Sequence, residues 1–149
     1  MNGWLLDTNV ISEVSGARPD PKVEKWIESV PEHTLFLSIL TIGEYQKGIH
    51  HLPPGDKRRP RLQRSVAALE ARFVGRVLSM SNQIVLRWGT ISGEVKRLTG
   101  HSPSVIDTLL AATAIEHGLY FATRNIVHVA SSGAAVFNPW KDDPEQFPL

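Results

Sequence analysis

Residues 105–125, VIDTLLAATAIEHGLYFATRN, contain a helix, its stop signal and a strand in immediate succession. Pro103 stands where a helix can begin, and Gly118 is the glycine that commonly follows a helix C-terminus. LYFAT has the apolar and aromatic character of a short buried strand. A helix that leads directly into a buried strand is typical of a parallel sheet with helices packed on its faces.

The same alternation extends in both directions from this stretch. Strands are predicted in WLLDTN at residues 4–9, in TLFLSI at 34–39, at 77–80 and in AAVFNPW at 134–140. Helices are predicted after Asp7, over 23–30, from Thr41 to about His51, and over 61–76 and 82–99. The predicted fold class is therefore α/β with a parallel sheet.

Length and composition fit one compact domain. The chain has 149 residues, of which 42% are hydrophobic and 21% charged, enough for a sizeable core. We assign residues 1–140 to this domain and 141–149 to an acidic C-terminal tail. The absence of cysteine excludes a disulfide scaffold and a thiolate zinc site. No signal peptide or membrane-spanning segment is predicted, so we expect a cytoplasmic protein with no membrane partner.

Three acidic residues each lie where an apolar segment meets a helical one: Asp7 in WLLDTNVIS, Glu44 in LSILTIGEYQKGI and Asp107 in SPSVIDTLLAATA. Asp7 follows a strand, and Glu44 and Asp107 are each expected in the first turn of a helix. Sites in such sheets form beyond the carboxyl ends of the strands, so the three acids can meet there. Each also fits a helix cap by itself, because Thr41–Glu44 is a capping-box pattern and Ser104–Asp107 is close to one.

Three carboxylates gathered at one point repel one another and are stable together around a cation. Asp107 supports this interpretation, because an unpaired carboxylate on a mostly apolar helix is costly. Mg²⁺ and Mn²⁺ prefer oxygen ligands, and such an ion can ionise a bound water and neutralise a phosphate. The chain has no G-x-S-x-G or Gly-rich phosphate loop, so a metal-dependent nuclease is the leading function class. Replacing one of the repelling acids by an amide is expected not to destabilise the metal-free protein.

Basic charge is concentrated between residues 56 and 76, which hold seven Lys and Arg residues against two acidic ones. A positive surface attracts polyanions, because neutralising phosphates releases condensed counterions. An ordinary solvated loop accounts for the same charge pattern equally well. The candidate nucleic-acid contacts are Lys57, Arg58, Arg59, Arg61 and Arg64.

Four segments in order, DTNVISE, LTIGEYQKGI, VIDTLLAATAIEHGLYFATRN and NPW, resemble the PIN-domain proteins of the VapC-like toxin type. The resemblance covers essentially the whole chain. It implies a three-layer α/β/α sandwich with a central, mainly parallel sheet, Mg²⁺- or Mn²⁺-dependent endoribonuclease activity on RNA, and a homodimer. It also implies neutralisation by a cognate antitoxin, with operator DNA bound only through that antitoxin.

The family's acidic quartet corresponds, position by position, to Asp7, Glu44, Asp107 and Asn125. The first three are the implied metal ligands, and the fourth position carries an amide instead of an acid. Many relatives continue after TRN with an Asp-Phe pair, where this chain has His128 and Val129. The carboxyl end of the site is therefore less negative than in the fuller family pattern.

Three neighbouring residues are assigned supporting roles. Thr8 and Thr123 supply hydroxyls that can fix carboxylates or waters. Arg124 is a candidate phosphate contact, because its guanidinium fork matches phosphate oxygens. The antitoxin is expected to insert a basic side chain among the three acids and to pack apolar side chains in a groove lined by Trp26, Ile27 and Ile49.

Two other interpretations stay open. A catalytically weak PIN module that acts with its antitoxin as a DNA-binding regulatory complex is supported by the missing fourth acid. An aspartyl-phosphate phosphatase with Asp7 as nucleophile fits less well, because such enzymes favour a second acid two residues on, where Asn9 stands. Metal-dependent cleavage of RNA by the pure protein separates the nuclease from both.

Overall fold

The computed structural model describes all residues from 1 to 149 and contains five strands. These are β1 (Trp4–Leu6), β2 (Leu35–Ser38), β3 (Val77–Leu78), β4 (Tyr120–Ala122) and β5 (Val136–Phe137). They form one sheet in the order β3-β2-β1-β4-β5, and every pair is parallel. The first strand in sequence therefore lies at the centre of the sheet.

Seven α-helices connect and cover the strands. They are α1 (Thr8–Val14), α2 (Pro21–Ser29), α3 (Ile39–His51), α4 (Arg58–Arg72), α5 (Asn82–Thr99), α6 (Val105–His117) and α7 (Ile126–Val129). Short 3₁₀ turns occur at Glu32–Thr34 and Pro144–Gln146. None of the helices combines the length and the apolar character needed to cross a lipid bilayer.

Alternate residues of β1 face opposite helical layers, which makes the molecule a three-layer α/β/α sandwich as predicted. Trp4 and Leu6 pack against side chains of α1 and α2, whereas Leu5 packs against α6. Helix α5 covers α6 through a further cluster around Ile84 and Ile91. All three β1 side chains are buried, so the strand before Asp7 is held on both faces.

An aromatic cluster centred on Trp4 fills the first of these layers. The Trp4 ring lies 5.2 Å from Trp26 and 4.8 Å from Phe137, measured between centroids. Phe147, within residues 141–149, lies 4.8 Å from the Phe137 ring. The Tyr120 hydroxyl donates to the Pro148 carbonyl at 2.8 Å. The C-terminal residues are therefore packed on the core.

Helix α3 begins two residues earlier than its sequence pattern predicts. Its N-cap is Ser38, whose hydroxyl accepts from the Leu40 N–H at 3.1 Å. The capping-box interpretation of Thr41 is wrong, because the Thr41 hydroxyl is buried inside the helix without a hydrogen-bond partner. Glu44 consequently lies in the second helical turn instead of the first.

Other helices also differ from prediction. Helix α4 spans Arg58–Arg72, so it begins three residues and ends four residues before the predicted 61–76. Helix α6 begins after the Ser104 cap and ends as expected at Gly118 in the left-handed conformation, φ 63°. Helix α5 has the predicted bounds, and it turns Ile84 and Ile91 to the core while Leu98 is 74% exposed. The short helix α7 was not predicted.

Candidate active site

A polar cavity of about 490 Å³, here called the acidic cavity, opens beyond the carboxyl ends of β1 and β4. Its walls include six residues that the sequence predicted for the site: Asp7, Thr8, Glu44, Asp107, Arg124 and Asn125. Four further residues complete them: Asn9, Ser12, Glu13 and Trp140. Residues from both ends of the chain meet here because β1 and β4 are hydrogen-bonded neighbours.

Asp7 is the most constrained acid of the cavity and is only 5% exposed. One carboxylate oxygen accepts from the Thr8 N–H at 2.7 Å, which makes Asp7 the N-cap of α1. The other accepts from the Thr123 hydroxyl at 2.7 Å and from the Asn9 side-chain amide at 3.1 Å. Asp7 therefore serves both as a helix cap and as a fixed carboxylate in the cavity wall.

Thr123 lies buried below the cavity and joins the two strand ends. Besides donating to Asp7, its hydroxyl oxygen accepts from the Asn125 N–H at 3.0 Å and the Asn9 amide at 3.3 Å. The Asn9 side-chain oxygen accepts from the Arg124 N–H at 3.3 Å. These bonds hold the turn after β1 and the turn after β4 in one geometry.

Glu44 reaches the same cavity from α3 and is more exposed than Asp7. One of its carboxylate oxygens accepts from the Thr8 hydroxyl at 3.0 Å. Asp107, in the first turn of α6, makes no side-chain hydrogen bond or salt bridge, although its backbone N–H donates to the Ser104 hydroxyl at 3.4 Å. Asp107 thus presents an uncommitted carboxylate.

The acids of the cavity affect one another electrostatically. Burial raises the pKa of Asp7, hydrogen bonds from Thr123 and Thr8 oppose this, and the negative charge of Asp107 raises the pKa further. Burial likewise raises the pKa of Glu44, and the charges of Asp7 and Asp107 add to the effect. A cation in the cavity would relieve this repulsion.

The donor set fits a hard divalent cation, with one difference from the sequence prediction. Carboxylate and amide oxygens in a polar cavity are the ligands that Mg²⁺ and Mn²⁺ prefer. However, no three acidic or histidine side chains are arranged so that they could hold one ion between them as they stand. Such an ion would therefore be held partly through waters or after side-chain rotation.

Arg124 is the only basic residue in the wall of the acidic cavity. Its guanidinium carbon lies 5.0 Å from the centre of the Trp140 ring, a cation–π arrangement. It forms no salt bridge with the carboxylates of the same cavity, because the four salt bridges of the chain involve other arginines. Its N–H donors are therefore available to an anionic ligand.

The predicted nucleic-acid contacts lie outside the acidic cavity, on α4 and the residue before it. Arg58 pairs with Asp56 at 2.8 Å, and the resulting hydrogen bonds lower the pKa of Asp56 to about 2. Arg59 donates to the Leu52 carbonyl at 2.7 Å. Of the predicted set, the side chains that make no hydrogen bond or salt bridge are those of Lys57, Arg61 and Arg64.

The prediction of an antitoxin-binding groove lined by Trp26, Ile27 and Ile49 is wrong for two of these three residues. Trp26 and Ile49 are 3% and 1% exposed and cannot contact a partner, because both belong to the core. The structure instead contains an apolar groove of about 820 Å³ between α1, α3 and α4, whose more exposed apolar lining includes Tyr45, Leu62, Ala68 and Leu69. Ser12 lines both this groove and the acidic cavity, so the two are adjacent.

Sequence reasoning did not assign Asn9, Ser12, Glu13 or Trp140 to the site. Asn9 and Glu13 are one helical turn apart on α1, a spacing that puts them on one face and could have indicated both. The Glu13 carboxylate also accepts from the Asp20 N–H at 2.8 Å. No local pattern indicates Trp140, because its position depends on the contact with Arg124.

The chain is similar to known proteins along most of its length. The model of the PIN domain family matches residues 4–128. Toxin FitB of Neisseria gonorrhoeae (strain ATCC 700825 / FA 1090) is 35% identical over 141 residues, which are 93% of this chain and 99% of the relative. VapC ribonuclease Y4jK of Sinorhizobium fredii (strain NBRC 101917 / NGR234) is 33% identical over 92% of this chain and 97% of the relative.

Two solved structures share the fold along nearly their whole length. FitAB bound to an IR36 DNA fragment matches with a TM-score of 0.79 and 31% identity, covering 94% of this chain and 97% of that one. A toxin–antitoxin complex from Klebsiella pneumoniae matches with a TM-score of 0.68 and 26% identity. The match covers 94% of this chain and 100% of the matched chain.

Proposed function

The chain belongs to the PIN domain family, and from this premise we propose that it is a divalent-metal-dependent endoribonuclease, the toxin of a toxin–antitoxin pair. Relatives described as a toxin and as a VapC ribonuclease support the proposal. The observation that carries it is the acidic cavity, where Asp7, Glu44 and Asp107 meet and burial and like charge raise the pKa of the first two.

We assign the role of metal ligands to Asp7, Glu44 and Asp107, with Mg²⁺ or Mn²⁺ as the ion. When bound, the ion supplies an ionised water and a positive charge that offsets the phosphate. Asn125 lies in the same wall and can offer its side-chain oxygen to a ligand or a water. Its amide adds no charge, so only three of the four quartet positions are acidic, and Glu13 is a fourth carboxylate of the cavity wall outside that quartet.

The remaining site residues position these groups. Thr8 and Thr123 hold the carboxylates of Glu44 and Asp7 by hydrogen bonds of 3.0 and 2.7 Å. A carboxylate fixed in this way loses little freedom when it binds, which favours one geometry. Arg124 contacts a phosphate oxygen of the RNA, because its donors are free and it offsets the acidic wall.

RNA outside the cavity is held by the uncommitted basic side chains of α4 and the residue before it. Arg61 lies on the apolar groove next to the acidic cavity, so a polyanion can extend from one to the other. Lys57 and Arg64 extend the positive surface. Arg58 and Arg59 contribute less, because their guanidinium groups are bound to Asp56 and to the Leu52 carbonyl.

The partner is a cognate antitoxin that occupies the apolar groove and the acidic cavity together. An apolar segment seated on Leu62 and Leu69 would run past Ser12 and bring a basic side chain to Asp7 and Glu44. Such a cation competes with the metal for the same oxygens, so RNA cleavage and antitoxin binding exclude each other. Operator DNA is then bound only by the antitoxin part of the complex. The active chain is a homodimer.

One experiment tests the central proposal. The pure chain is incubated with single-stranded RNA in Mg²⁺, in Mn²⁺ and in EDTA, and the fragments are analysed at their 5′ ends. We expect cleavage with either ion and none in EDTA. A chain that cleaves no RNA but still forms a DNA-binding complex with its antitoxin would instead support the catalytically weak regulatory module.

A further inference from the structure

Trp140 is the one apolar residue in the wall of the acidic cavity. Its backbone is fixed, because the buried Asn138 side chain accepts from the Trp140 N–H at 2.9 Å. The indole N–H groups of Trp4, Trp26 and Trp88 are buried without partners, whereas that of Trp140 is not buried. Trp140 is therefore a rigid aromatic side chain that remains accessible from a polar cavity.

Arg124 stacks on this ring although four carboxylates lie in the same cavity. Its guanidinium carbon is 5.0 Å from the ring centre, and its backbone is held by the Asn9 side-chain oxygen at 3.3 Å. Because the indole and not a carboxylate holds the guanidinium, its flat face and its N–H edge both stay available. The guanidinium and the indole therefore lie together beside the three acids.

We propose that Arg124 and Trp140 form a platform against which an unpaired RNA base stacks next to the scissile phosphate. This inference rests on the proposed ribonuclease function. Unpaired bases stack on aromatic rings and on guanidinium planes, and such stacking tolerates any base because every base has a π-face. Trp140 is in this sense a positioning residue that supports the guanidinium and does not touch the reacting atoms.

The platform selects the state of the RNA more than its sequence. A base inside a duplex is already stacked between its neighbours and cannot reach the wall without being unpaired. A base splayed from a loop or single strand can stack at once, while the guanidinium edge contacts the adjacent phosphate. The chain should therefore cleave single strands and loops and leave a continuous duplex of the same sequence intact.

The test compares RNA with and without bases. Binding is measured with Asp107→Asn protein in Mg²⁺, using a mixed-sequence single-stranded oligonucleotide and an abasic ribose-phosphate strand of equal length. We expect Trp140→Leu to weaken binding of the base-containing strand by about 5- to 150-fold. The abasic strand should bind the parent and the Trp140→Leu protein equally. Trp140→Phe should retain most of the affinity, and Arg124→Lys, which keeps the charge but loses the plane, should lose part of it.

Trp88→Leu is the matched control, because Trp88 is also partly buried but packs on α5 and α6 away from the cavity. Thermal melting checks that each variant folds. If Trp140→Leu is unfolded, the parent protein alone tests the platform. The parent must then bind the base-containing strand more tightly than the abasic strand by about the factor expected for Trp140→Leu. Equal affinity for both strands would overturn the platform.

The outcomes separate the platform from the proposed function. RNA cleavage with no effect of bases or of Trp140→Leu leaves the nuclease intact and refutes the platform. Base-dependent binding through Trp140 with no cleavage in any divalent ion refutes the nuclease and keeps the platform. A chain that neither binds nor cleaves single-stranded RNA refutes both.

Discussion

Replacing Asp7 and Asp107 by asparagine should have opposite effects on stability although both changes abolish RNA cleavage. The two acids repel each other, and on that ground alone either substitution is expected to leave the metal-free protein as stable or more stable. The structure changes this expectation for Asp7, which accepts three hydrogen bonds where Asp107 accepts none.

The magnitude follows from the hydrogen bonds of Asp7. One carboxylate oxygen accepts from the Thr8 N–H. The other oxygen accepts from both the Thr123 hydroxyl and the Asn9 side-chain amide. An asparagine has one acceptor oxygen, so in either orientation its NH₂ faces a donor. At least one buried donor loses its partner, which costs about 1–3 kcal/mol. Asparagine carries no charge, so the substitution also removes the cost of burying the Asp7 carboxylate. This gain offsets part of the loss in stability.

The assay is thermal and urea unfolding in EDTA, with RNA cleavage in Mg²⁺ measured on the same preparations. A loss of 1 kcal/mol lowers the melting temperature of a domain of this size by roughly 2–4 °C. We expect Asp7→Asn to melt several degrees below the parent and Asp107→Asn at or above it. Equal melting of Asp7→Asn and the parent would refute the hydrogen-bond account, and full cleavage by either variant would refute its assignment as a metal ligand.

Three further predictions follow from single side chains. Asn125→Asp adds a negatively charged oxygen to the cavity wall and should tighten Mn²⁺ binding in calorimetric titration, and an unchanged affinity would place residue 125 outside the metal site. Arg64→Gln removes an uncommitted charge and should reduce the salt dependence of RNA binding by about 0.7 in the log–log slope; Arg87→Gln, on α5, is the control and should leave the slope unchanged. Hydrogen bonds from Arg72 hold the pKa of Glu32 below its ordinary 4.5, so the stability from this contact is present above pH 4.5 and is lost as pH falls through the lowered pKa. Glu32→Gln should therefore be less stable than the parent at neutral pH and equal to it in acid, whereas a constant difference in urea unfolding at every pH would contradict the assignment.

The sequence predicted best those features that local chemistry determines. Helix α5 has the predicted bounds because Ser81 caps it and Gly100 ends it in the left-handed conformation, φ 80°. Gly118 ends α6 in the same way. Helices and buried strands alternate along the chain, and each can be predicted from a short segment of sequence. This alternation predicts the α/β class and brings Asp7 next to the turn after β4.

Features that depend on distant contacts were missed or misassigned. Ser38 and Thr41 are both acceptable caps in sequence, but β2 extends to Ser38, which pairs with Leu78 of β3, and the helix starts directly after it. Asn9 is linked to the turn after β4 by hydrogen bonds to residues more than a hundred positions away in the sequence. The separation between Asn9 and Thr123 is 114 positions. The accessible face of Trp140 likewise follows from its packing and not from its neighbours in sequence.

The central position of β1 has a consequence for the chain during its synthesis. β1 precedes the other four strands in the chain, yet the Asp7 N–H can donate to the Ala122 carbonyl, at 3.0 Å, and the Asp7 carboxylate can accept from the Thr123 hydroxyl only when β4 pairs with β1. Contacts over such separations form late in folding. A nascent or prematurely released polypeptide lacking β4 cannot fix Asp7, so its incomplete fragments should be harmless to the cell that makes them. Expression of a fragment ending before residue 119 should leave growth unaffected even without antitoxin.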